Sequence, residues 1–198
     1  FINLSSSDWK LILVRSVAEV GAAVFFLSAL AHMPLANVTA ILQVLPLAVT
    51  LGAAMFLNEN VTWRRWSAIF IGFVGVIIIV RPGLEGFSIY SISALGAVVC
   101  VTIRDLTTSR LSPKSPSIFV ALISGIAMTL LGAFMLPTVQ WATVNSSHCS
   151  ILIITAIAII FGLLFSVMAM RHGDASFVAP FRYTAMLWAI VIGVLLFD

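Results

Sequence analysis

The feature that most constrains this chain is a series of unbroken apolar runs, each about 20 residues long, separated by short polar punctuation. At 1.5 Å of rise per residue, such a run spans the ~30 Å hydrocarbon core of a bilayer as a helix. Seven runs are marked: Trp9–Ala31, Ala36–Leu57, Trp66–Val80, Ile89–Thr107, Ile118–Leu136, Ile151–Met170 and Phe177–Phe197. Composition agrees, with 62% apolar and 9% charged residues and a mean hydropathy of +1.18. A soluble domain covers its surface with roughly a quarter of charged residues, so lipid is the solvent here. In lipid every backbone polar group must be satisfied internally, which leaves helices or a closed barrel. A barrel would alternate apolar and polar residues over segments of about ten. The expected fold class is therefore all-α, a polytopic bundle of membrane helices.

The connections carry turn chemistry: Met33-Pro34, Asn58-Glu59-Asn60, Arg81-Pro82-Gly83, Ser112-Pro113-Lys114-Ser115-Pro116, Asn145-Ser146-Ser147 and His172-Gly173-Asp174. They are too short to hold a soluble catalytic domain. Assigning each basic residue to the nearer helix end places nine on one side (Lys10, Arg15, Arg64, Arg65, Arg104, Arg110, Lys114, Arg171, Arg182) and Arg81 alone on the other. By the positive-inside rule the start of the chain is expected in the cytoplasm and Asp198 outside. The chain opens on Phe1 and stops directly after an apolar run, and reads as a fragment with no signal peptide. Cys100 and Cys149 lie in or beside apolar runs and predict no disulfide framework. The net charge of +3 is dispersed, which argues for topology rather than a nucleic-acid partner.

Within the spans a few polar residues are costly enough to need a reason. Glu19 sits about ten residues into the first helix, where an ionised group costs at least ~2.5 kcal/mol unless paired or facing a cavity. Arg15 is one turn earlier on the same face. The pair reads either as a substrate or proton site, or as a structural ion pair. Pro46 interrupts the second helix and frees the carbonyl of Leu42, predicting a kink; Gln43 beside it is either a substrate contact or a buried amide. Arg104 and Asp105 are adjacent and expected to point about 100° apart. Either can pair with another helix; Arg104 is read rather as snorkelling to the headgroups, and Asp105 as having a partner. Arg182 and Tyr183 form either an anion site or an interfacial anchor, and Trp188 either lines a cavity or packs. Glu59 is expected to pair with Arg64 or Arg65 at the surface. The glycines Gly72, Gly75, Gly125 and Gly132 are expected at close helix contacts. His32, His148 and His172 lie at loop ends on different sides and predict no metal site. HExxH, GxSxG and Walker motifs are absent from the sequence, and both lysines lie at helix ends, which excludes a retinal Schiff base.

The stretch 26–82 is more specific. It runs from Ala29–Pro34 as a helix end, through Ala36-Asn37, mid-helix Pro46 and closing Asn58-Glu59, to a basic turn with Trp66. A Gly72/Gly75 helix ending in Arg81-Pro82 follows. With Arg104-Asp105-Leu106, Arg110 and Ala179-Pro180-Phe181-Arg182-Tyr183, it resembles the EamA family of the drug/metabolite transporter superfamily. The resemblance implies two inverted five-helix repeats, with these seven helices as the third to ninth of ten. Residues 1–83 would complete a first repeat and 84–198 would form a second lacking its last helix. A faint likeness between the second and seventh helices, which run in opposite directions, fits that build. The implied function is a secondary carrier for small metabolites in the inner membrane, working by alternating access and driven by a proton or by exchange. The carrier is not an enzyme and has no cofactor; its partners are a small-molecule substrate and the lipid bilayer, and a homodimer is left open. The rival reading is a membrane enzyme or receptor whose working part lies outside this sequence.

Overall fold

The computed structural model describes residues 5–59, 89–138 and 146–184, with 62–64, 66–67, 70–71, 74 and 188. Most of the expected third helix, Trp66–Val80, and most of the seventh, Phe177–Phe197, lie outside the described residues. Those described are helical and turn, without strands. They comprise α1 (Ser6–His32), α2 (Leu35–Leu42), α3 (Leu45–Phe56), α4 (Ile89–Ser109), α5 (Ser117–Met135), α6 (Ser146–His172) and α7 (Ala175–Val178), followed by a 3-10 turn, Ala179–Tyr183. Five spans among the described residues are long and apolar enough to cross a membrane: α1, α2–α3 together, α4, α5 and α6. The chain is an all-α, multi-pass membrane bundle.

Local chemistry sets the ends of α1. Ser5 accepts a hydrogen bond from the Ser7 N–H at 3.2 Å and Asp8 lies in the first turn, both favourable at a helix N-terminus. Pro34 closes the other end after the Met33 N–H reaches the Ala29 carbonyl at 2.9 Å. The Asp8 carboxylate also accepts from the Ser112 N–H at 3.0 Å. Arg171 donates to Ser117 Oγ at 2.7 Å and to the Ser112 carbonyl at 2.8 Å. The α4–α5 connection is thus held from two sides.

The second span is broken. Gln43 and Val44 form a turn between α2 and α3, and the hydrogen bonds tighten there: the Val44 N–H bonds the Ile41 carbonyl at 3.1 Å and the Leu47 N–H bonds the Val44 carbonyl at 2.9 Å. Pro46 has no N–H to offer Leu42, so the i→i−4 ladder cannot run through. Pro180 in the 3-10 turn after α7 breaks the expected start of a regular seventh helix for the same reason.

α1 packs along most of α4, and small residues permit the approach. A methyl group on Gly21 would come within 3.3 Å of Cys100 Sγ, and one on Gly96 within 3.3 Å of the Phe25 ring. On α3, a methyl on Gly52 would lie 2.6 Å from Leu106 Cδ1. Among the described residues, nothing lies within 4 Å of a methyl placed on Gly125 or Gly132, so no close helix contact is seen at these two glycines. Gly72 and Gly75 lie outside the described residues. Three apolar clusters hold the bundle. Ile12, Leu111, Val120 and Val167 join α1, the α4–α5 connection, α5 and α6. Ala29, Val38, Ile41 and Ala94 join α1, α2 and α4. Val49, Ala53, Leu106, Met170, Ala175 and Ala179 bring α3, α4 and α6 against α7 and the turn beyond it. Leu13, Val14 and Val17 on α1 and most of α6 are exposed, as expected where the surroundings are hydrocarbon.

Candidate functional site

Glu19 is the middle residue of the 27-residue α1, and it is the centre of the most polar region inside the bundle. Its carboxylate lies 3.2 Å from Arg15 Nη1 through Oε2 and 3.1 Å from Arg104 Nη1 through Oε1. Arg104 also donates through Nε to Asp105 Oδ1 at 3.0 Å, with Nη2 2.9 Å from the same oxygen. The other Asp105 oxygen, Oδ2, is 2.6 Å from Arg182 Nη2. The five side chains form a line of alternating charge, Arg15–Glu19–Arg104–Asp105–Arg182. It runs from α1 across α4 to the 3-10 turn after α7.

The line is deeply set. Side-chain exposure is 3% for Arg15, 9% for Glu19, 17% for Arg104, 3% for Asp105 and 26% for Arg182. Charges removed from water this far are tolerated only when paired and hydrogen-bonded, and hydroxyls supply the remainder at one end. Arg15 Nε donates to Thr108 Oγ1 at 2.9 Å, and Arg15 Nη1 donates to Ser124 Oγ on α5. Thr108 and Ser124 in turn bond the carbonyls of Arg104 and Val120 within their own helices. Apolar helices are thus joined through groups that lipid would penalise if separated.

Arg104 departs from the sequence expectation. It does not snorkel: it lies between the two carboxylates and is the central cation of the line. It also reaches its sequence neighbour Asp105, although adjacent helix positions are expected to point apart. Glu59 also departs. Its carboxylate oxygens accept from the Ala175 N–H at 2.9 Å and the Ser176 N–H at 3.0 Å, the first amides of α7. Asn58, at φ 53°, makes the reversal that aims Glu59 there, a left-handed conformation that asparagine tolerates. Arg64 instead lies over the Trp63 ring at 5.9 Å, and Arg65 is outside the described residues.

Of the other residues singled out, Tyr183 donates its hydroxyl to the Gln43 carbonyl at 3.0 Å. The 3-10 turn that carries Arg182 is thereby tied to the break in the α2–α3 span. Trp188 is exposed, and no contact with the charge line is described for it. An apolar groove of about 420 Å³, lined by Val44, Leu51, Met55, Val98 and Leu106 among others, lies between α3 and α4 without touching the line. The residues that sequence reasoning missed are Thr108, Ser124 and the bridging role of Arg104. A serine amid the apolar residues of α5 was a signal; its partner was not readable.

Comparison with known proteins supplies the context. The EamA-like transporter family model matches residues 1–81, in accord with the resemblance read from the sequence. The chain is 24% identical over 165 residues to the S-adenosylmethionine uptake transporter of Rickettsia conorii, covering 83% of this chain and 56% of that protein. It is 28% identical over 194 residues to a riboflavin transporter of Vibrio cholerae, covering 96% and 63%. With the pseudopaline exporter of Pseudomonas aeruginosa it shares 25% identity over 196 residues, covering 94% and 66%. The chain thus spans little more than half the length of the first of these relatives. No solved structure matches it significantly.

Proposed function

We propose that this chain, whose residues 1–81 match the EamA-like transporter family model, forms part of a secondary carrier of that family, moving a small metabolite across the inner membrane by alternating access. The observation that carries this reading is the five-charge line, buried within the bundle where a purely structural protein of lipid has no need of charge. Intramembrane ionisable groups mark solute pathways by default because of what they cost. The relatives named above are transporters or exporters, and none is named as an enzyme.

In this reading residues 1–83 and 84–198 belong to two inverted repeats. The charge line crosses between them: Arg15 and Glu19 come from the first, and Arg104, Asp105 and Arg182 from the second. Carriers of this build hold their solute at the repeat interface and rock one repeat against the other. The Glu59 clamp on the start of α7 also joins the two halves, at the expected cytoplasmic end. It is suited to hold that end together while the other opens. Energy comes from a proton gradient or from exchange, with Glu19 and Asp105 as the groups that would carry a proton.

The test uses the full-length protein in proteoliposomes, screened for uptake and counterflow of amino acids, S-adenosylmethionine, riboflavin and other metabolites. Wild-type protein is expected to move at least one of them saturably, and Glu19→Gln to abolish the uptake or its pH dependence. Unchanged uptake and pH profile in Glu19→Gln would remove Glu19 from the transport mechanism.

A further inference from the structure

The charge line has an odd number of members. Its order is cation, anion, cation, anion, cation, so among the described residues three guanidiniums face two carboxylates and one positive charge is left over. Both ends are arginines, but they are not equivalent. The Arg15 end is closed by Thr108 and Ser124, and its side chain is 3% exposed. The Arg182 end has no such hydroxyl partners among the described residues. Arg182 touches Asp105 through Nη2 alone and is the most exposed of the three guanidiniums, at 26%. A guanidinium presents five N–H donors in a planar fork, so most of its capacity is unspent among the described residues. The surplus charge and the spare donors therefore fall on the same side chain.

We infer that Arg182 is the docking point for a carboxylate carried by the transported solute, which extends the line by the one anion it lacks. This deepens the carrier reading above and rests on it. A carboxylate is favoured by geometry, because the free edge of the guanidinium can take two oxygens in parallel. It is favoured by charge as well: one negative charge neutralises the surplus, whereas a dianionic phosphate would turn the line net negative in a site that lipid surrounds. The placement of Arg182 adds a consequence. It rides on a 3-10 turn rather than inside a long helix, and the next residue, Tyr183, holds the Gln43 carbonyl at the break in the α2–α3 span. Solute docking is thereby linked to the hinge in the opposite half.

The experiment uses the full-length carrier in proteoliposomes, with counterflow of α-amino acids and of mono- and dicarboxylic acids. Each acid is run beside its primary amide, with inorganic phosphate and riboflavin as probes that lack a carboxylate. Acids are expected to be moved, and each amide to fall by about tenfold to hundredfold, the weight of hydrogen bonds to a charged group. Arg182→Lys should keep the preference for acid over amide at a reduced rate, and Arg182→Gln should erase it. Because Arg182→Gln leaves Asp105 with one cation fewer and can unfold, Asp105→Asn/Arg182→Gln is run beside it, and the wild-type comparison of acid with amide needs no variant. Amides moved as well as acids, or a preference surviving in either Arg182→Gln protein, overturns the inference. Riboflavin or phosphate moved while every acid is refused overturns it too and leaves the carrier reading standing. Movement of no solute at all overturns both.

Discussion

Replacing Glu19 with glutamine removes one of the two carboxylates of the charge line. The carboxylate stands 3.2 Å from Arg15 Nη1 and 3.1 Å from Arg104 Nη1, with a side chain only 9% exposed. Two unit charges about 4 Å apart attract by ~4 kcal/mol at an effective dielectric of ~20, and Glu19 makes two such contacts. Much of this offsets the desolvation already suffered, so the measurable quantity is the cost of leaving the partners uncompensated, about 3–5 kcal/mol. Glutamine keeps one amide oxygen for one of the two guanidiniums, which puts the expectation at the lower end, about 3 kcal/mol. For a protein of this size each kcal/mol moves the melting midpoint by ~2–4 °C, a fall of roughly 6–12 °C. The assay is the midpoint for loss of the monodisperse peak of detergent-solubilised full-length protein, heated at one fixed rate. Arg15→Gln should be similarly harmful, and the double variant should cost less than the sum of the singles by about 1–3 kcal/mol, because it removes both members of one contact. A Glu19→Gln midpoint within about 1 °C of wild type, or strict additivity, would refute the reasoning. The line would then contribute no more than an exposed surface pair.

Glu59→Ala removes two charge-assisted hydrogen bonds to the first amides of α7, at a cost of about 1–2 kcal/mol. Hydrogen exchange at Ala175 and Ser176 should quicken, and unchanged protection there would show that another group holds the turn. Gly52→Val forces atoms against Leu106, whose Cδ1 already lies 2.6 Å from where a methyl would begin. The expected loss is about 1–3 kcal/mol, partly restored by Leu106→Ala in the same chain; an unshifted melting midpoint would show that α3 and α4 do not approach so closely. Orientation is tested by labelling intact cells with a membrane-impermeant maleimide. The exposed Cys149 should react from outside in a Cys100→Ser background, while Lys114→Cys in a chain without native cysteines should not, and the reverse pattern would invert the proposed topology.

The sequence by itself determined the solvent and, for the five spans among the described residues, the helical structure and the approximate ends, because each follows from local properties. Long apolar runs leave the backbone no choice but a helix, and Pro34, Pro46 and the polar turns act on residues within one turn of themselves. The Arg15–Glu19 contact was legible for the same reason, since two residues four apart on a helix are neighbours whatever surrounds them. Only the tertiary structure decided the rest of the charge line. Glu19 meets Arg104 across 85 positions of chain, and whether Arg104 reaches a headgroup or a carboxylate depends on which helix stands beside α4. The same holds for Glu59: two arginines lie close in sequence, yet its carboxylate goes to amides more than a hundred residues away. Hydropathy says that a charge in a span needs a partner, but membrane helices of similar composition are interchangeable to that rule. The choice among partners is made by packing, by where Gly21 and Gly96 let α1 and α4 close together.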